Sequence, residues 1–157
     1  MYELISKIEE RAYNAAVARG KDTSHTGCAE AMAVELAEFW AAAEAGRELP
    51  DDILEVARTY YENEKDKEFA DYYEKYLHNT KADEMADMII VAATWIHDAR
   101  EKAEAAGEIF IPGKCINVVL AGGAIQFVAA QITGMRDLDL LVTMVNLKLR
   151  FNELRKD

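Results

Sequence analysis

Proline stands only at positions 50 and 112, and cysteine is as scarce, with Cys28 and Cys115 far apart in the chain. Two isolated cysteines in no C-x-x-C pair argue against a zinc knuckle or a disulfide framework, and a reducing cytoplasm is the expected setting. Positive charge is short too. Against 29 Asp and Glu there are 18 Lys and Arg, a formal net charge of −11. A nucleic-acid polymer or an anionic membrane is therefore not an expected partner, since both need a basic face; phosphates can still bind if a cation mediates. Alternating β-branched runs are few, so strands have little support. No apolar run reaches the roughly 20 residues of a membrane span. The longest, 116–132, is interrupted by Asn117, Gly122, Gly123 and Gln126 and reads as a buried or interface helix. The N-terminal MYELISKIEER is charged and amphipathic, so no secretory signal is expected there.

What the chain does have is helical periodicity, over a length of 157 residues that suits one domain with a real core. Ile5, Ile8, Ala12 and Ala15 recur at helical spacing and predict a first helix over about 2–19, stopped by Gly20. Asp22, Thr23 and Ser24 offer caps for a second helix ending near Gly46. A third begins after Pro50 and enters a tyrosine- and charge-rich stretch, 60–77, with a break near Asn63. Thr80 and Asp83 have the form of a capping box, with Asp in place of Glu, and open a fourth helix to about Ala106 and Gly107. After segment 116–132, Asp137 or Asp139 starts the last helix, striped by Leu140, Met144, Leu147, Phe151 and Leu154. The expected fold is an all-α bundle.

Acidic pairs three residues apart are common in this chain. Asp52 with Glu55, Asp71 with Glu74 and Glu101 with Glu104 each have a base close by and read as solvated faces. Two pairs differ. Glu35 and Glu38 sit in VELAEFW, and from Thr26 to Gly46 there is no lysine or arginine. Glu84 and Asp87 sit in DEMADMIIVAATW, with only Lys81 within a turn. Both pairs lie on helices that are apolar over much of their circumference. Burying unpaired carboxylates is costly unless something compensates, and a hard divalent cation would do so. Four carboxylates from two facing helices suit Mg²⁺ or Mn²⁺, which take oxygen ligands and leave positions for substrate phosphates. A di-iron centre is disfavoured, because His25, His78 and His97 each lack a glutamate three residues before. The commoner fate of such a pair is a solvated helix edge; recurrence on a second apolar helix sets these two apart. A third group, Lys148, Asn152 and Arg155 in KLRFNELR, falls on one side of the last helix, where two cations and an amide could hold nucleotide phosphate or sugar.

ELAE at 35–38, EMAD at 84–87 and KLRFNELR at 148–155 resemble the ExxE, ExxD and K-x-x-x-N-x-x-R elements of the MazG-like all-α nucleoside triphosphate pyrophosphatases. The words around them agree: AVARGK before the first motif, and DEMAD followed by an aliphatic run at the second. The resemblance runs from about Ala12 to Arg155. It implies one MazG-like domain over 1–157, a bundle of five to six helices completed as a homodimer or homotetramer. It implies a cytoplasmic, Mg²⁺-dependent hydrolase that cleaves an NTP or dNTP to the monophosphate and pyrophosphate, cleaning the nucleotide pool. Carried over, Glu35, Glu38, Glu84 and Asp87 bind Mg²⁺, with Mn²⁺ as a substitute. Lys148, Asn152 and Arg155 contact the nucleotide, and Glu38 orients the attacking water. The interval between the acidic motifs is longer than in the family, so 49–79 behaves as an insertion or extended helix.

Tyr60, Tyr61, Tyr72, Tyr73 and Tyr76 in that interval are stacking candidates for a base, although packing is the commoner role. Trp40 and Trp95 have the same two readings, with the core favoured, and Asp98 reads as solvated. The rival function is a non-catalytic bundle that binds a partner through the apolar 116–132 face. The complete carboxylate quartet favours the enzyme.

Overall fold

A computed structural model describes residues 2–110 and 138–155, with side chains from residue 4 and again from 139. Six helices account for these residues, and there is no strand among them. The apolar segment 116–132 and Cys115 lie outside the described residues.

Helix α1 (Tyr2–Ala18) buries Ile5, Ile8 and Ala12 on one face, and the chain turns at Gly20, whose φ of +71° is left-handed. Helix α2 (His25–Glu44) begins where Ser24 caps it, its Oγ accepting the Gly27 N–H at 3.1 Å. The 22–24 turn folds back so tightly that a Cβ on Gly27 would stand 2.4 Å from the Asp22 carbonyl oxygen. Only glycine fits there.

Helix α3 (Asp51–Glu62) ends at Asn63, as the sequence predicts, and the chain reverses through Glu64 at φ +55°. Helix α4 (Asp66–Tyr72) then runs directly into a π-helical turn, Tyr73–Leu77. The interval 49–79 is thus two short helices rather than one long one. Helix α5 (Lys81–Ala105) is capped by the Thr80 hydroxyl, which accepts the Asp83 N–H. The reciprocal half of the predicted capping box is absent. Asp83 takes the Asn79 N–H at 3.0 Å instead, and the Thr80 N–H goes to the Leu77 carbonyl.

α5 is the axis of the bundle. It is buried at nearly every position from Lys81 to Asp98, and α1 and α2 pack along it more extensively than any other pair. An all-round apolar helix needs neighbours on every side. The exceptions, Asp87, Val91 and Trp95, recur four residues apart and mark one half-open stripe. Helix α6 (Leu138–Leu154) completes the core with Met144, Leu147 and Phe151, whose ring stacks on Tyr73 at 4.4 Å. No helix among the described residues is long and apolar enough to cross a membrane.

Candidate metal centre

The half-open stripe of α5 faces α2, and the two acidic pairs meet there. Glu35 and Glu38 stand one turn apart on α2; Glu84 and Asp87 stand one turn apart at the start of α5. One oxygen from each of the four carboxylates lies within 4.8 Å of the others. Glu84 is buried, Glu35 and Asp87 are half-buried and Glu38 is exposed. Glu35 Oε2 and Glu84 Oε2 are buried with no hydrogen-bond donor. Such orphaned acceptors are destabilising unless a positive charge or a proton reaches them. The all-oxygen donor set, with one open member, could hold a metal ion, and its chemistry suits a hard divalent cation.

Without a cation, protons must compensate. Burial raises the Glu35 carboxyl to about 9, and the charges of Asp87, Glu38 and Glu84 add to the effect. Burial likewise raises Glu84 to about 8, followed by Asp83, Asp87 and Glu38. Asp87 is lifted less, to about 6, because Lys148 opposes its burial. Like charges crowded in one site push carboxyl protons to higher pH, and a cation in their midst would reverse that.

Behind Asp87 lies a buried polar chain. Lys148, 1% exposed, donates to Asp83 Oδ1 at 2.8 Å and stands 3.4 Å from Asp87 Oδ1. The Tyr73 hydroxyl donates to the same Asp83 oxygen, and His78 Nδ1 lies 3.5 Å from the other, a charge contact without hydrogen-bond geometry. Burial alone would raise the Asp83 carboxyl, but His78, Lys148 and Tyr73 together bring it down to about 2. Lys148 is held above its ordinary value, because Asp87 and Asp83 outweigh the cost of burying it. The Tyr73 phenol is pushed well above its usual range by burial and then by Asp83.

The acidic cluster forms part of the wall of a cavity of about 550 Å³. Lys148, Asn152 and Arg155 line the same cavity, so all seven residues singled out from the sequence surround one space. Their settings differ. Lys148 spends its ammonium on Asp83 and Asp87, the Asn152 Oδ1 is buried without a donor, and the Arg155 guanidinium lies 5.5 Å from the Phe151 ring centroid. Arg19 and Lys21, from the turn that follows α1, also line the cavity. Cys28 lines it too, but burial and then Asp98 push its thiol up to about 11, which excludes a reactive thiolate at neutral pH.

The favoured packing role holds for the tyrosines, whereas the readings of Trp40, Trp95 and Asp98 are corrected. None of the five tyrosines lines this cavity: Tyr60, Tyr72 and Tyr76 pack on one another, Tyr61 packs on Phe69, and Tyr73 acts on the site only through Asp83. Trp40 is 48% exposed rather than in the core, and Trp95 is half-buried, donating its indole N–H to His25 Nδ1 at 3.0 Å. Asp98 is buried and accepts Lys102 at 2.7 Å, so it is not solvated. The residue that sequence reasoning missed is Asp83. Its position directly before Glu84 was the available signal, obscured because a cap accounts for an Asp there equally well. No protein-family model, curated protein or solved structure matches the chain.

Proposed function

We propose that the protein is a Mg²⁺-dependent nucleoside triphosphate pyrophosphohydrolase, converting an NTP or dNTP to the monophosphate and pyrophosphate. The observation that carries this reading is the meeting of Glu35, Glu38, Glu84 and Asp87, with orphaned buried oxygens, in one cavity also lined by Lys148, Asn152 and Arg155. Acid and base on the walls of one cavity suit a ligand that is itself anionic and arrives with a cation.

When bound, Mg²⁺ would polarise phosphoryl oxygens and make a water more acidic. The four carboxylates would hold it. To Glu38, the exposed member, this reading assigns orienting the attacking water and taking its proton. The water oxygen bonds to the α phosphorus, and the bridging oxygen between the α and β phosphates leaves with pyrophosphate. Asn152 of α6 and Arg155, just beyond its end, steady the anion. Lys148 acts one step back: it keeps Asp87 ionised and fixes its orientation, and Asp83, Tyr73 and His78 in turn hold Lys148.

The reading includes a homodimer or homotetramer, supported by the exposed Val34, Leu36 and Trp40 of α2, and a cytoplasmic role in clearing the nucleotide pool. The test is pyrophosphate release from a panel of unmodified and modified NTPs and dNTPs, each with Mg²⁺ and with EDTA. Turnover of at least one substrate with Mg²⁺ and none in EDTA is expected. No turnover on any substrate would remove the enzyme from consideration.

A further inference from the structure

His78 stands between the π-helical turn and α5, and its backbone is fixed from several sides. Its own N–H donates to the Tyr73 carbonyl at 3.0 Å, the Asn79 N–H donates to Asp83 Oδ2 at 3.0 Å, and Arg47 donates to the Asn79 carbonyl at 2.7 Å. Its ring centroid lies 6.3 Å from that of Phe151, the neighbour of Asn152 on α6. A ring held in this way loses little freedom when it takes a ligand.

The two edges of the ring differ. Nδ1 is buried and faces Asp83 Oδ2 at 3.5 Å, whereas Nε2 is neither buried nor hydrogen-bonded among the described residues. The side chain is 31% exposed and lines the cavity of the carboxylate cluster together with Glu84, Asp87 and Asn152. Short contacts tie the ring to that cluster: Asp83 Oδ1 accepts Lys148 at 2.8 Å, and the same ammonium stands 3.4 Å from Asp87 Oδ1. Contact with Asp83 of α5 holds the imidazole above its ordinary 6.5, aided by Glu74 of the π-helical turn and opposed by burial and by Lys148 of α6. A carboxylate opposite Nδ1 keeps a proton on that nitrogen. The charged ring therefore presents an N–H at Nε2, and the neutral ring presents a lone pair there.

We propose that His78 is a substrate-contact residue, its imidazolium donating from Nε2 to a phosphate oxygen of the Mg²⁺-bound triphosphate while Asp83 holds the opposite edge. The identity of the ligand rests on the pyrophosphohydrolase reading. The contact goes beyond the support that His78 gives Lys148 through Asp83. Deprotonation removes the charge and sets an acceptor against an acceptor, so the contact is lost as pH rises.

Calorimetric titration of wild type and His78→Gln with inorganic triphosphate in Mg²⁺ buffer, from about pH 6 to about pH 9, tests this. The probe has no base, so it reads the phosphate contacts alone. Loss of one charge-assisted contact should weaken it about tenfold in His78→Gln at the acid end. The ratio of the two affinities should shrink toward the alkaline end, and protons released elsewhere in the site cancel in that ratio. Mg²⁺ alone should bind both proteins alike; a residue acting only through Asp83 and Lys148 would weaken Mg²⁺ itself about tenfold. Equal unfolding midpoints confirm that the variant is folded. Long-range ¹H–¹⁵N spectra of the wild-type histidine rings need no variant, and His25 and His97, which do not line the cavity, serve as controls. Inorganic triphosphate should shift the His78 Nε2 signal, leave that nitrogen protonated and spare the other two rings. An unmoved His78 ring, an unprotonated Nε2 in the complex, equal triphosphate affinities, or wild type that does not bind triphosphate would each overturn the contact. So would a loss of Mg²⁺ affinity as large as the loss of triphosphate affinity. Triphosphate that binds through His78 without turnover of any nucleotide overturns catalysis and keeps the contact. Turnover with an unchanged KM in His78→Gln overturns the contact and keeps catalysis.

Discussion

Replacing Glu35 with glutamine should stabilise the metal-free protein at neutral pH while removing its response to Mg²⁺. The Glu35 carboxyl is raised from 4.5 to about 9 in the folded protein, chiefly by burial and by Asp87. Between those pH values the native state holds a proton that the unfolded chain has released. The native state therefore binds more protons, and stability falls as pH rises. From 4.5 to pH 7 the full linkage is about 3.4 kcal/mol, at 1.36 kcal/mol per unit. Glu35 is half-buried, and solvent screening reduces that figure to about 1–2 kcal/mol. Glutamine is neutral in both states and imitates the protonated carboxyl, so the Glu35→Gln protein should gain about 1–2 kcal/mol at pH 7 in EDTA. The gain should vanish near pH 4.5 and widen toward pH 9. Denaturant unfolding in EDTA across this range reads it directly. Saturating Mg²⁺ should stabilise wild type, by about 2.7 kcal/mol at 100 times the dissociation constant. It should do far less for Glu35→Gln. A variant less stable than wild type at pH 7 in EDTA would refute the reasoning, as would an undiminished response to Mg²⁺, because either result makes Glu35 structural.

Other consequences are separable. Lys148→Met should destabilise by about 3–5 kcal/mol in urea unfolding, because it leaves the buried Asp83 carboxylate without its ammonium partner. Asp83→Asn removes a carboxyl held at about 2, a contribution present above the unfolded value of 3.8 and lost as pH falls toward 2; its cost should be full at pH 7 and shrink as pH falls from 3.8 toward 2. Gly27→Ala should cost about 1–3 kcal/mol in thermal or denaturant unfolding, since its Cβ would meet the Asp22 carbonyl oxygen at 2.4 Å. Trp40→Ala, at an exposed position, should leave monomer stability within about 0.5 kcal/mol, and sedimentation should show a shift toward smaller species if α2 is the subunit contact.

The helices were legible because their signals are local. Ser24 and Thr80 cap where the sequence places caps, and Gly20, Asn63 and Gly107 lie where helices stop. The convergence of the acidic pairs was legible for another reason: a carboxylate pair without a nearby base on an apolar helix has few stable fates. The roles around it were harder to see. Lys148 and Asn152 share a helical face by spacing, but spacing does not reveal that α5 brings Asp83 within 2.8 Å of the Lys148 ammonium. Tyr73 lies in a run of similar tyrosines, and only the π-helical turn distinguishes it by burying its ring and directing its hydroxyl to Asp83. Arg19 reads as an ordinary basic residue at a helix end. It lines the cavity of the carboxylate cluster together with Lys148, Asn152 and Arg155, which are distant from it in sequence.

The central claim is that the carboxylate cluster supports cleavage between the α and β phosphates. Phosphorus NMR of the products formed from a nucleoside triphosphate in ¹⁸O-labelled water, with Mg²⁺, tests it most directly. Monophosphate carrying the label together with unlabelled pyrophosphate is the expected result, abolished by Glu38→Gln and by EDTA. Orthophosphate with a nucleoside diphosphate, or label in the pyrophosphate, would contradict it.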